Sequence, residues 1–288
     1  MPTLTKNQID TFHREGYLLL ENAIAPDMLK KLQQDFERWK EESRQYSESY
    51  GNSYDGRPRF SLEPGHSAEQ PALRRIASPV EISDNYLAAM RDNRALDALQ
   101  DLIGPNIKFE NAKVNSKQPG AATTVKYHQD FAFEAHTNDD MVTVLFFIDD
   151  VTEDNGPLKV VPGSHTGPIY EHWHHGIFTG AVSETVDKEI REQAVPCFGK
   201  AGSACLMHTR VVHGSEPNLS DGPRTLFICS YTAEDAYPLH SNHIPSEYQY
   251  EVVRGEATGR VRCTPYEMAI AEMPTGASFF EQQAKEVA

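Results

Sequence analysis

Tyr127-His128-Gln129-Asp130-Phe131 places an imidazole and a carboxylate two residues apart. The pair sits inside a run with strand character from Thr123 to Phe133, carried by Thr123, Thr124, Val125, Tyr127, Phe131 and Phe133. On a strand, residues i and i+2 project from the same face with Cα atoms roughly 6–7 Å apart. Side chains of that length converge on one ion about 2.1 Å from each donor atom. A third ligand must then come from elsewhere in the fold. With 12 His and 42 acidic residues in the chain, His-x-Asp pairs also arise by chance, so the rest of the sequence decides what this one means.

Outward from that stretch the pattern is one of short strands. Ile107–Val114, Met141–Ile148, Leu158–Val161, Ala204–Met207 and Thr225–Tyr231 are apolar runs separated by Gly, Pro, Asn and Asp clusters. Before Pro105 the pattern is helical. Thr5 and Gln8 form a capping box that opens a helix closing at Gly16. Tyr17–Leu20 reads as a strand. Pro26 suits the first turn of a longer helix, in which Met28, Leu29, Leu32, Phe36 and Trp39 recur at spacings of three and four. Two helical pieces, Tyr86–Met90 and Leu96–Ile103, end at Gly104-Pro105. Between the longer helix and these two pieces, residues 42–71 lose all periodicity, and a stretch of that length in a compact domain is read as a candidate lid. Helices first and strands after predict an α+β protein, a double-stranded β-helix (jelly-roll) core with flanking N-terminal helices. The expected organisation is one domain: a helical part to about 105, the core over about 106–235, and a C-terminal extension over 236–288.

The chain has 288 residues, enough for a sizeable core. Its 27 basic and 42 acidic residues leave a net charge of −15. That balance argues against nucleic acid or an anionic membrane as partner, because both require a basic footprint. No apolar run approaches a membrane span, and Met1-Pro2-Thr3-Leu4-Thr5 has no basic-then-apolar signal pattern. The four cysteines form no C-x-x-C pair and suit reduced thiols. A cytoplasmic enzyme with a small-molecule substrate fits these bounds.

Downstream, His213 lies in Val211-Val212-His213-Gly214-Ser215, and Arg224 follows eleven residues later as a strand begins. The Pro-, Asn-, Asp- and Gly-rich turn between them is expected to return Arg224 to the His213 end of the same sheet. Two His and one carboxylate are the ligand set of non-haem Fe(II) oxygenases. Arg is the side chain that grips a carboxylate with two parallel hydrogen bonds. A metal chelating one end of a dicarboxylate, with an Arg holding the other, describes a 2-oxoglutarate site.

Three segments carry a family resemblance: His128-Gln129-Asp130-Phe131, the run Asn155-Gly156-Pro157-Leu158-Lys159-Val160-Val161-Pro162-Gly163-Ser164-His165, and His213-Gly214-Ser215 with Arg224. Together they resemble the phytanoyl-CoA dioxygenase family of Fe(II)/2-oxoglutarate-dependent oxygenases, over roughly Asn115 to Tyr231. The resemblance implies that His128, Asp130 and His213 ligate iron, that Arg224 and Ser215 bind the distal carboxylate of 2-oxoglutarate, and that Asn115 helps seat the cosubstrate. Dioxygen would be the other cosubstrate, and the reaction a hydroxylation releasing succinate and CO2.

Other readings of the same residues stand beside this one. A halogenase on this scaffold needs a vacancy where Asp130 stands. A cupin-like metal-dependent hydrolase or isomerase could use the three ligands but has no use for Arg224. A non-catalytic metal-binding module would be expected to lack a ligand. His136, in a polar Thr137-Asn138-Asp139-Asp140 setting, reads as a turn residue. His165 reads as a loop-backbone partner, and His208 as core or support. The cluster Glu171-His172-Trp173-His174-His175 reads as a substrate-facing or exposed loop. Phe133, Trp173, Tyr170 and the 45–60 stretch are expected to face substrate.

Overall fold

The helix Lys6–Glu15 begins on the expected capping box: Gln8 N donates to Thr5 Oγ1, and Thr5 N donates to Gln8 Oε1 at 2.9 Å. It ends at Gly16, whose φ of 80° is the left-handed value that favours glycine. A Cβ there would also strike the His165 ring. The computed structural model of the chain describes residues 2–274, 276 and 279–284. Within the C-terminal extension expected at 236–288, residues 275, 277, 278 and 285–288 lie outside the described ones.

Two antiparallel sheets form the core. The larger runs in the order Tyr17–Leu20, Ala204–His208, Met141–Phe147, Arg224–Ala233, Ile107–Lys117, Leu73–Ala77, Pro58–Leu62 and Tyr50–Asn52, with Val252–Arg254 also pairing Ile107–Lys117. The smaller runs Val195–Pro196, Leu158–Val160, His213–Ser215 and Val125–His128. The chain is therefore α+β with a double-stranded β-helix core.

Strand alternation sorts the large sheet's side chains into two layers. Phe109, Ala112, Val114, Val144, Phe146, Phe227, Cys229 and Tyr231 face outward against Leu32, Phe36 and Trp39 of the helix Pro26–Ser43 and against Tyr86 and Leu99 of the following helices. Leu145, Phe147, Met207, Leu226 and Ile228 face inward onto Leu158 and Val160 of the small sheet. Helices thus cover one face, and the other face is free to build a cavity between the sheets.

Residues 42–71, read as a patternless candidate lid, hold two strands, Tyr50–Asn52 and Pro58–Leu62, that extend the large sheet at its edge. Their alternation is hidden because the buried face carries polar groups: Arg59 is buried, donating to Ala77 O and Ser78 O and pairing with Glu81 at 2.6 Å. Tyr46, Tyr50 and Phe60 stack in series instead of packing into a helical stripe. The N-terminal part thus adds Tyr50–Asn52, Pro58–Leu62 and Leu73–Ala77 to the one strand expected there, Tyr17–Leu20. All four cysteines are free thiols, three buried and Cys263 exposed. Among the described residues, no helix is long and apolar enough to cross a membrane.

Candidate metal and cosubstrate site

The run expected to be one strand from Thr123 to Phe133 is strand only over Val125–His128 and then turns into a 3-10 helix at Asp130–Ala132. His128 and Asp130 therefore do not share a strand face. They converge because the chain bends between them, and Gln129 holds that bend. Gln129 is fully buried; its Nε2 donates to Arg210 O at 2.7 Å and its Oε1 accepts from Tyr170 N at 2.8 Å. His213 heads the neighbouring strand directly opposite His128 in register.

The three side chains meet at one point. His128 Nε2 lies 3.5 Å and His213 Nε2 3.6 Å from Asp130 Oδ1. Donors each about 2.1 Å from a common ion stand roughly 3–4 Å apart. Both imidazoles are oriented by their other nitrogen: His128 Nδ1 donates to Lys126 O and His213 Nδ1 to Val211 O, each at 2.9 Å. That bond fixes the tautomer with a bare lone pair on Nε2. Burial, with the neighbouring His128, pulls His213 down to about 4, so it stays neutral as a metal ligand must. Against the burial that would raise it, His213 and His128 in their protonated forms, with the Lys113 ammonium, hold the Asp130 carboxyl well below its ordinary range. Among the described residues, this is the group of His, Cys, Asp or Glu with metal-holding geometry.

Thr143, which the sequence reading missed, donates its hydroxyl to Asp130 Oδ2 at 2.7 Å and so leaves Oδ1 facing the two imidazoles, the oxygen that would meet an ion. Losing such a supporting bond typically costs about 10–100-fold in metal affinity. Thr143→Val should weaken Fe(II) binding by about that factor while the fold persists, as a competition titration against a chelating dye would report. Unchanged affinity would mean that Asp130 orients itself.

Arg224 and His213 do not sit at one end of one sheet as expected. His213 belongs to the small sheet and Arg224 opens a strand of the large one, so they face each other across the sandwich. One cavity holds both, together with His128, Asp130, Asn115, Ser215, Lys113, Lys117, Leu145 and Leu226. Arg224 is buried, and its Nε donates to Gly156 O at 3.0 Å. Burial pulls its guanidinium down to about 10, against the attraction of Asp149. Gly156 has φ of 76°, and a Cβ there would meet Glu216 O at 2.7 Å. The Asn-Gly turn therefore supports the Arg as well as reversing the chain. Asn115 Oδ1 is buried without a hydrogen-bond partner among the described residues. Lys113 and Lys117 were also missed. Their signal was alternation: Lys113, Asn115 and Lys117 occupy every second position of one strand, with Ala112 and Val114 on its other face.

The remaining histidines lie outside the cluster. His136, read as a turn residue, instead forms an isolated bridge with Pro238 and is buried; its Nδ1 bonds Glu134 O, and its Nε2 is 3.4 Å from Glu110. His165 Nε2 bonds His13 O, a backbone partner on the helix Lys6–Glu15 rather than in its own loop as expected. Burial pushes His208 and His172 each down to about 3. The 171–175 loop is a small hairpin, Trp173–His174 with Ile177–Phe178, and its His172 is buried, accepting from Gln129 N at 3.2 Å. Phe133 approaches the three-residue cluster, 5.9 Å from the His128 ring. Tyr170 and Trp173 line a separate pocket, where Trp173 Nε1 donates to Ile270 O. Phe279 joins Phe133 beside His128, 5.6 Å from the His128 ring and 6.0 Å from the Phe133 ring.

The arrangement has counterparts. A profile of the family described as phytanoyl-CoA dioxygenase matches residues 12–226. The chain is 33% identical over 205 residues to a probable alpha-ketoglutarate-dependent hypophosphite dioxygenase of Stutzerimonas stutzeri, covering 69% of this chain and 71% of that one. It is 28% identical over 250 residues to the L-proline trans-4-hydroxylase of Streptomyces griseoviridis, covering 80% and 87%. Among solved structures, EctD from S. alaskensis with 2-oxoglutarate and 5-hydroxyectoine superimposes with a TM-score of 0.60 at 22% identity, covering 93% of this chain and 89% of that one.

Proposed function

The chain belongs to the phytanoyl-CoA dioxygenase family, and we propose that His128, Asp130 and His213 hold its iron while the Arg224 end of the same cavity holds its 2-oxoglutarate. It is a 2-oxoglutarate-dependent non-haem iron dioxygenase acting on a small molecule. The observation that carries the residue assignment is the convergence of two Nε2 atoms on one carboxylate oxygen, with each Nδ1 already committed to a backbone carbonyl. Two neutral imidazoles and one carboxylate suit a divalent ion that must keep open positions.

When bound together, Fe(II) and 2-oxoglutarate supply the oxidising power: dioxygen is reduced, the keto acid becomes succinate and CO2, and one oxygen atom goes to the substrate C–H bond. The chain's own residues bind, orient and exclude water. Thr143 holds Asp130 in its pose. Arg224 offers a guanidinium fork for the far carboxylate, with Ser215 beside it and Asn115 between that end and the metal ligands. Leu145, Leu158 and Leu226 supply apolar wall. Phe133 and Phe279 flank His128 on the side left for substrate, where they keep water off the reacting atoms. We read residues 1–288 as one catalytic domain, because strands on either side of residue 105 pair in one sheet.

The test is succinate release from 2-oxoglutarate under labelled dioxygen, across amino acids, small phosphorus oxyanions and acyl thioesters. The expected result is a substrate that raises succinate release and gains one labelled oxygen atom, with no dependence on chloride. Anaerobic turnover without 2-oxoglutarate, equally good with zinc, would instead make the chain a cupin-like hydrolase or isomerase.

A further inference from the structure

Lys113 and Glu134 carry opposite charges in one buried corner of the protein, and they do not pair with each other. Lys113 stands on the strand Ile107–Lys117 and lines the cavity, with 8% of its surface exposed. Among the described residues its ammonium makes no hydrogen bond and no ion pair; the charges around it are Asp130, Arg75 and Glu134. Glu134 lies two residues past the 3-10 helix Asp130–Ala132 and is 6% exposed. Its Oε1 accepts from Asn111 Nδ2 at 2.8 Å and lies 3.6 Å from His243 Nδ1. Its Oε2 has no hydrogen-bond partner among the described residues, and neither has His243 Nδ1. Glu110, the other buried carboxylate nearby, is already committed to Asn242 and Gln249. Strand register fixes where this corner sits. Asn111 is opposite Ser230, which is opposite Thr143, so Asn111 is level with the hydroxyl that holds Asp130. Lys113 is opposite Ile228, whereas Arg224 is opposite Lys117, which puts the Arg224 end roughly 13 Å further along the strand. The His243 ring lies 5.9 Å from Phe133, the ring that flanks His128.

We propose that this corner selects the substrate, and that the substrate is a small zwitterion of the amino-acid class: its carboxylate sits on the Lys113 ammonium and its ammonium on the free oxygen of Glu134. The proposal rests on the reading of this cavity as an oxygenase site. Burying a charge without a partner is costly, and here a cation and an anion are both buried without neutralising each other. A zwitterion answers both at once, with a charge-assisted hydrogen bond at each end. A monoanion leaves Glu134 unanswered, and a monocation leaves Lys113 so. Burial works against the charged form of both groups, raising Glu134 to about 7 and lowering Lys113, and a ligand charge of opposite sign at each restores it. Asn111 acts as a positioning residue, because it occupies Oε1 of Glu134 and turns Oε2 to the ligand. With both ends held level with Asp130, the carbon chain of the substrate is presented to the three-residue cluster in a fixed orientation.

The experiment measures succinate release by the iron-loaded protein under air, with saturating 2-oxoglutarate, across the free amino acids. At least one is expected to raise the release. Its amide, which lacks the carboxylate, and its N-acetyl derivative, which lacks the ammonium, should each have a kcat/KM about ten- to a hundredfold lower. Lys113→Met should lose a similar factor on the amino acid and stop discriminating against the amide, while still rejecting the N-acetyl derivative. Glu134→Gln should do the reverse. A merely structural role would weaken all three compounds alike. Iron content and circular dichroism check each variant, and the comparison of derivatives on the wild type needs no variant. If 2-oxoglutarate and dioxygen are consumed but no amino acid raises succinate release, the proposal falls and the oxygenase reading stands. If 2-oxoglutarate is not consumed at all, that reading falls and the proposal with it. Discrimination that survives in both variants overturns the proposal, as does a Lys113→Met whose KM rises for 2-oxoglutarate instead of for the amino acid.

Discussion

His213→Ala should leave the protein folded and free of iron. The wild type, loaded anaerobically, is expected to hold about one Fe(II) per chain, and His213→Ala or His128→Ala to hold almost none after desalting. With only two donors left, the ion loses the third corner of its face, and the ligands that remain sit at 3.5 Å from each other in a buried pocket that no solvent oxygen fills as well as an imidazole. His213 stands on a three-residue strand paired on both sides, to Val125–His128 and to Leu158–Val160, so truncation at Cβ leaves the backbone ladder intact. Iron analysis beside a far-ultraviolet spectrum separates loss of metal from loss of fold. His174→Ala is the control: its Nε2 bonds Ala181 O rather than the cluster, so iron occupancy should be unchanged. Full occupancy in both ligand variants would sink the assignment.

How much of this was legible in the sequence follows from where each signal lies. The three residues of the cluster were legible because their spacing and residue types are local or motif-bound: His128 and Asp130 two apart, His213 before Gly-Ser. The reason given for their convergence was wrong. A turn at Asp130, held by Gln129, does what a continuous strand was expected to do. The strands of the core were legible from apolar runs, since Met141–Phe147 and Arg224–Ala233 are buried on both faces. Their assignment to two sheets was not, because pairing partners are set by contacts more than a hundred residues apart, such as Arg224 with Lys117. That is why Arg224 was expected beside His213 on one sheet and is found across from it. The edge strands Tyr50–Asn52 and Pro58–Leu62 escaped because polar and aromatic stacking replaces apolar alternation there. Thr143, Lys113 and Lys117 carry no motif at all. A cation at alternate positions of a buried strand is visible in the letters, but its meaning appears only when Arg224 and Asp130 are placed beside it.

Arg224→Ala should raise the apparent KM for 2-oxoglutarate by about ten- to a hundredfold, while the iron content stays at its wild-type level. A charge-assisted hydrogen-bonded pair is worth about 1.5–3 kcal/mol, and a factor of ten corresponds to about 1.4 kcal/mol. Arg224 lies in the cavity with the metal ligands but bonds Gly156 O, not any of the three, so its loss has no direct route to the ion. The structure also sets the limit of the effect. Lys117 remains at the same end of the cavity, and without the facing guanidinium its ammonium is less suppressed, because Arg224 is the second cause of its lowered value after burial. A retained Lys117 therefore offsets part of the loss, and the double variant Arg224→Ala/Lys117→Met should bind 2-oxoglutarate more weakly than the product of the two single effects predicts. Arg224→Lys should rescue only partly, since a single ammonium cannot reproduce the two parallel bonds of a guanidinium. Steady-state 2-oxoglutarate titrations on the wild type, Arg224→Ala, Lys117→Met, the double variant and Arg224→Lys, each checked for iron, give the comparison. An unchanged KM in Arg224→Ala would mean that another residue holds the distal carboxylate, and strictly multiplicative single effects would mean that Lys117 and Arg224 do not share one ligand group.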